Sequence, residues 1–236
     1  MESVVNDLFD YGLKIYQLDN KFKFSLDSIL LAEFVELKQN TKQIVDFCTG
    51  NAPVPLILST KTKAKLYGFE IQPKIAKLAQ YSVRENSLDS QISIVNANFS
   101  DVLEYVLPES VDAVTCNPPY FKLEKDSSMI NEDEEKAIAR HEITMKLEDI
   151  MVAAKYILKN KAPLYLVHRC DRLDEIMYLL EKYNFKVKKM QFIYAGFDKE
   201  AIMVLIKATK NGKSGSLKVC PPINVLKHRT YKGIFE

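Results

Sequence analysis

Residues 111–120 read Val-Asp-Ala-Val-Thr-Cys-Asn-Pro-Pro-Tyr. The first six form a short, mostly apolar run rich in β-branched residues, as expected of a strand buried on both faces, and the Asn-Pro-Pro turn ends it abruptly. Two successive prolines fix the backbone and remove two N–H donors. The side-chain oxygen of Asn117 and the carbonyl of Pro118 can then converge as acceptors on a single amino group. An exocyclic or amide nitrogen has a delocalised lone pair. Holding both of its hydrogens favours the pyramidal geometry in which that lone pair attacks an electrophile. Pro119 stiffens the turn, and Tyr120 offers an aromatic face to a flat substrate group.

Working outward from this stretch, apolar strands are predicted at 44–47, 65–69, 92–95, 164–167 and 201–206. Helical periodicity falls between most of them. Residues 73–86 carry Ile75, Leu78, Ala79 and Val83 on one face, and 147–159 and 171–183 repeat the pattern. Such alternation predicts an α/β fold, a mainly parallel sheet with helices on both faces. Before it, residues 13–24 alternate around Asp19-Asn-Lys, which predicts a hairpin, and Ser25 caps a predicted helix running from Leu26 through Leu37. The chain therefore divides into an appendage, 1–40, packed on a core domain, 41–236. Residues 121–142 break the rhythm with dense charge and form either a substrate loop or a tolerated surface insertion.

The composition sets bounds on function. Of 236 residues, 47% are hydrophobic and 27% charged, with only 7 Gly and 9 Pro, which excludes disordered and fibrous classes. No apolar run approaches membrane-spanning length, and the acidic start lacks the pattern of a secretory leader, so a cytoplasmic protein without membrane association is expected. Cys48, Cys116, Cys170 and Cys220 are widely spaced, which fits reduced thiols and implies no metal. Charge is uneven. From Tyr183 onward there are 11 Lys and Arg against 3 acids, and before it 22 against 28. That asymmetry points either to a polyanion-facing surface or to a solvated lysine-rich face.

Candidate ligand residues gather at the predicted strand ends. Asp46 is followed by Phe-Cys-Thr-Gly-Asn-Ala-Pro, small residues suited to a tight turn that ligand can approach. Glu70, 24 residues later, ends the next strand, where an acid can accept from both ribose hydroxyls. The G-x-G-x-x-G spacing of a nicotinamide site is absent. Asn98 and Phe99 reach the same rim, as partners for an adenine or, alternatively, as a helix cap and a core ring.

Asp46 to Asn51, Glu70, Asn98-Phe99 and Asn117-Pro-Pro-Tyr120, in this order, resemble the class I S-adenosylmethionine-dependent methyltransferases with an NPPY motif. The chain as a whole is similar to the bacterial tRNA(Val) adenine-37 N6-methyltransferase family. Supporting stretches are Phe24-Ser-Leu-Asp27-Ser-Ile-Leu-Leu-Ala-Glu, Ala139-Arg-His-Glu142, Val167-His-Arg169 and residues 213–222. The resemblance implies a seven-stranded Rossmann-like sheet and an RNA partner, most specifically tRNA. It also implies S-adenosylmethionine as cofactor, with Asp27, Asp46, Cys48, Gly50, Asn51, Glu70, Ile71, Asn98, Phe99 and Asn117 around it. Asn117, Pro118, Pro119 and Tyr120 would form the catalytic motif. Arg140, His141 and Arg169 suit phosphate contact or structural ion pairs, and Lys213 and Lys218 suit RNA backbone. A monomer is expected.

One departure from the family pattern stands out. Of the motif D-x-G-x-G-x-G only Gly50 is kept, with Cys48 and Ala52 at the other glycine positions. If position 52 requires positive φ, alanine costs on the order of 1 kcal/mol there. The same motif geometry would also serve methylation of a protein glutamine amide, and a chain that had lost cofactor affinity would be a non-catalytic binding module.

Overall fold

The computed structural model describes residues 3–8, 11–18, 26–119, 146–196 and 198–227. Its centre is a sheet in which β3 (Gln43–Phe47), β4 (Lys65–Phe69), β5 (Ile92–Val95), β6 (Ala113–Cys116) and β7 (Pro163–Arg169) run parallel. β9 (Ala201–Lys210) pairs antiparallel with β7 on one side and with β8 (Phe185–Tyr194) on the other. The order is β5-β4-β3-β6-β7-β9-β8, seven strands of 4 to 10 residues. Two residue pairs, β10 (Lys218–Val219) and β11 (Ile223–Asn224), add to the β8 edge and extend the expected seven-stranded sheet.

The central strands β3, β4, β7 and β9 divide their buried side chains between two apolar layers with period two. Ile44, Leu66, Tyr165, Val167, Met203 and Leu205 face one layer, with α1 (Leu26–Phe34) and α2 (Pro53–Ser59) and Val83 of α3 (Pro73–Glu85). Val45, Phe47, Phe69, Leu164, Leu166, Val204 and Ile206 face the other, with a short 3-10 helix (Phe99–Glu104), α4 (Leu147–Ile157) and α5 (Leu173–Lys182). The alternation explains why the parallel strands read as continuous apolar runs: each has two buried faces. Chain order reverses between β3 and β6, and in open α/β sheets the crevice at that point takes ligand.

Sequence and structure differ at three places. β2 (Leu13–Leu18) pairs antiparallel with an upstream strand, β1 (Ser3–Leu8), with Gly12 at φ 64° just before it, while the expected turn at Asp19-Asn-Lys and the stretch 22–24 lie outside the described residues. The register pairs Leu8 with Leu13, so a turn that only a flexible residue enters freely sits between them. The unpaired edge of β2 is bonded by side chains: Asn86 takes both the N–H and C=O of Lys14, and Ser82 accepts from the Tyr16 N–H. Second, α1 stops at Phe34, before Leu37. The Tyr165 hydroxyl donates to the Glu36 carbonyl at 2.8 Å and accepts from its N–H at 3.2 Å, which replaces the next helical bonds. Third, β8 is a ten-residue strand that hydropathy had not marked. Its sequence Phe-Lys-Val-Lys-Lys-Met-Gln-Phe-Ile-Tyr is too polar to read as buried, yet it is covered on both edges.

The lysines of this region are partnered by acids from the first part of the chain. Lys189 and Lys207 converge on Glu36 at 2.8 and 2.5 Å, Lys210 meets Glu109 at 2.9 Å, and Lys186 pairs with Glu181. Charge that is segregated along the sequence is thus compensated in part, four of these lysines meeting three acids from before Tyr183. Lys213 and Lys218 are exposed and have no ion pair among the described residues.

Candidate active site at the carboxyl ends of the strands

β3 enters its turn at Cys48, and the three positions 48, 50 and 52 all adopt left-handed backbone: Cys48 at φ 56°, Gly50 at 56° and Ala52 at 68°. The conformation that glycines would provide is therefore kept with two side chains in place, each costing about 1–2 kcal/mol. The compensation is visible in the bonds that tie the turn down. Thr49 N–H donates to the Phe69 carbonyl at 2.9 Å, Gly50 N–H to Glu70 at 3.0 Å, and the Asn51 amide to the Tyr16 carbonyl at 2.8 Å. Thr49 packs so closely on Gly68 that a Cβ there would lie 2.8 Å from the threonine hydroxyl.

Glu70 is nearly buried, and its two oxygens also fix its own loop, one taking Gly50 N–H and the other Gln72 N–H. Ile71, beside it, is exposed on the rim. Asn96, which the sequence reading passed over, donates to the Glu70 carbonyl at 2.8 Å and holds this acid's backbone in place. An asparagine one residue beyond the predicted strand was its only signal.

Asp46 lies buried near the carboxyl end of β3, on the strand where chain order reverses. It accepts from the Thr49 hydroxyl and, across the sheet, from the Thr115 hydroxyl, both at 2.6 Å. Burial pushes its pKa up to about 7, the two hydroxyl bonds oppose that, and the neighbouring charge of Glu70 adds to it. Cys48 and Cys116 bring their thiols together beside it, and burial raises the Cys116 thiol well above its usual range.

Asn117 follows β6 directly. Its side-chain nitrogen donates to Ser28 Oγ at 2.8 Å, so the first turn of α1, with half-buried Asp27 next to Ser28, lies against the motif. Pro118 is buried and Pro119 exposed. Asn98 caps the 3-10 helix, its side-chain oxygen accepting from Ser100 N–H at 3.0 Å. Phe99 is buried and stacks on Phe47 with ring centres 4.8 Å apart. Both residues are at the expected rim in the cap and core roles. Arg169 ends β7 and forms an ion pair with Asp171 at 2.6 Å. Tyr120, Arg140, His141 and the loop 121–142 lie outside the described residues. No cluster of metal-ligating side chains occurs among the described residues, and no helix there is long and apolar enough to cross a membrane.

The strand order and the acid-flanked crevice define a class I, Rossmann-like methyltransferase fold. Solved structures support it. A predicted O-methyltransferase from Agrobacterium tumefaciens aligns with a TM-score of 0.66 at 19% identity, over 85% of this chain and 88% of that one. TrmK of M. capricolum, solved with S-adenosyl-homocysteine, aligns at 0.55 and 19% identity, over 83% and 72%. Residues 23–170 match the family described as methyltransferase small domain, and the chain belongs to that family. Among curated relatives, the tRNA1(Val) (adenine(37)-N6)-methyltransferase of Porphyromonas gingivalis is 30% identical over 56% of this chain and 51% of its own length. The protein of the same name from Bacteroides thetaiotaomicron is 26% identical over 69% and 66%. The matched part thus spans between half and two thirds of these relatives. The cofactor of the class I methyltransferase fold is S-adenosylmethionine.

Proposed function

We propose that this protein transfers a methyl group from S-adenosylmethionine to the N6 amino group of adenine in tRNA, at position 37 of a valine tRNA. The observation that carries the reading is Asn117-Pro118, set at the carboxyl end of β6 next to the β3 turn. The names of the curated relatives support the nucleotide and the RNA.

The residues of the crevice fit the cofactor. Gly50 has open space where a Cβ would stand, and Asp46 and Glu70 supply negative charge toward a cationic ligand. Asp46, Cys48, Gly50 and Asn51, with Asp27 opposite, would hold its amino-acid end, Glu70 and Ile71 its ribose, and Asn98 and Phe99 the adenine edge. When bound, it supplies a methyl group on a sulfonium sulfur.

The chain's own residues do the rest. The Asn117 oxygen and Pro118 carbonyl accept the two hydrogens of the target amine and turn its lone pair toward the methyl. The methylated amine is acidic enough to lose its proton to water, so no general base is required. Tyr120 stacks on the base. Arg140, His141, Lys213 and Lys218 contact RNA phosphates, and Arg169 does so only on leaving Asp171. We take the enzyme to be cytoplasmic and monomeric.

The test is transfer from isotopically labelled S-adenosylmethionine to unmodified tRNA, followed by nuclease digestion and mass spectrometry of nucleosides. Labelled N6-methyladenosine is expected. Cofactor binding without label in RNA would sink the substrate reading and make protein glutamine amides the next substrates. Absence of cofactor binding would leave a binding module.

A further inference from the structure

Thr115 stands in the middle of a buried apolar run and is itself fully buried. Valine would fill the same volume at that position without a hydroxyl to desolvate, and an unpaired buried hydroxyl costs roughly 1–3 kcal/mol. The hydroxyl is paired, with one specific partner. Thr115 and Asp46 are register neighbours on β6 and β3, and the hydroxyl donates to Asp46 Oδ1 at 2.6 Å while Thr49 donates to Oδ2 at 2.6 Å. All three side chains are buried to within a few per cent. The other titratable groups acting around Asp46 are the Glu70 carboxylate from the end of β4 and the Cys116 thiol, itself hydrogen-bonded to the free thiol of Cys48. None of these is a cation, so hydroxyl donors are what favours the anion.

We propose that Thr115 is a positioning residue for the charge of this site: its hydrogen bond holds Asp46 as the anion that draws a sulfonium ligand to the β3 turn. The inference rests on the cofactor reading above. Its physical basis is leverage. Burial leaves Asp46 with a pKa of about 7, so near neutrality the charged and uncharged forms are close in population. One hydrogen bond then decides which form dominates, since a tenfold change in that ratio is one pKa unit. The effect must scale with the charge of the ligand: S-adenosylmethionine and S-adenosylhomocysteine share an α-ammonium, and the sulfonium gives the former a further positive charge that responds to Asp46.

The experiment compares the wild-type protein with Thr115→Val and Thr115→Ser by calorimetric titration with S-adenosylmethionine and, separately, S-adenosylhomocysteine. Near pH 7, Thr115→Val should bind S-adenosylmethionine about three- to tenfold more weakly, with a distinctly smaller loss for S-adenosylhomocysteine, which lacks the sulfonium charge. The loss should fade by about pH 9, where Asp46 ionises without the hydroxyl, and Thr115→Ser should behave as wild type. Equal losses for both ligands, or none, would overturn the proposal. A second readout needs no ligand: the carboxyl carbon-13 titration of Asp46, whose midpoint should rise in Thr115→Val and return in Thr115→Ser. An unmoved midpoint also overturns it. If the wild-type chain binds neither compound, the cofactor reading falls and this proposal with it; binding without charge selectivity removes only the role of Thr115.

Discussion

The side-chain nitrogen of Asn117 donates to the hydroxyl of Ser28 at 2.8 Å, across 89 residues of sequence. An amide has two ends of opposite hydrogen-bonding character, and a target amine needs the oxygen end. Ser28 engages the nitrogen end and so sets the orientation that the chemistry requires.

Removing that bond should cost turnover. Ser28→Ala is expected to lower kcat for methyl transfer to tRNA by about tenfold, whereas Asn117→Ala should lower it by about 10²–10³. Cofactor affinity, followed by calorimetry, should change little in Ser28→Ala. A Ser28→Ala enzyme with full kcat would mean that the bond does not orient the amide.

Asp46 should oppose stability for the sake of function. Its folded pKa is raised from 3.8 to about 7 by burial, so keeping the anion buried costs folding free energy that is absent below about pH 4, grows between pH 4 and 7, and is complete above. Asp46→Asn should therefore melt higher than wild type at pH 8, with the difference shrinking by pH 5, and should bind S-adenosylmethionine poorly. Thermal scans across pH check the first part; a lower melting temperature at pH 8 contradicts it.

Glu36 has the opposite sign. The ammonium groups of Lys189 and Lys207 hold its carboxyl down to about 2, from 4.5. Its contribution is complete above about pH 4.5 and is lost as pH falls toward 2. Glu36→Gln should lower the melting temperature at pH 7 and make no difference at pH 2. Because the carboxylate is half exposed, the effect should be modest and should weaken in high salt.

The amino-terminal segment should be inseparable from the rest. Ile29, Leu30, Leu31 and Ile15 are buried in the same apolar layer as Ile44, Leu56, Ile57 and Tyr165. A chain lacking residues 1–40 would expose that layer, and it is expected to be insoluble or to lose its cooperative thermal transition. A soluble, cooperatively melting fragment 41–236 would show that the appendage is a separate unit.

RNA affinity should fall with salt, and Lys213→Ala with Lys218→Ala should reduce the slope of log affinity against log salt by about 1.4–1.8 together. Filter binding at several salt concentrations measures it. Lys189→Ala, at an ion-paired lysine, should leave the slope unchanged; the reverse ranking would place the RNA on the Glu36 side.

Sequence alone determined the strand and helix alternation, because burial on both faces of a parallel sheet imposes apolar runs, and it determined the order of Asp46, Glu70 and Asn117 along the rim, because each lies just beyond or at the end of such a run. It did not mark β8, since Lys186, Lys188 and Lys189 read as solvent-facing until partners such as Glu181 and Glu36 are known. Nor did it reveal the hairpin partner of β2, which depends on the turn at Gly12 and on Asn86 and Ser82 from a distant helix. Within the site, the acids were legible but their supports were not. Thr115, Asn96 and Ser28 act on residues 69, 26 and 89 positions away, and such pairs exist only once sheet register and helix packing bring them together. Local pattern specifies which segments are buried; only the tertiary structure decides which polar group each buried charge meets.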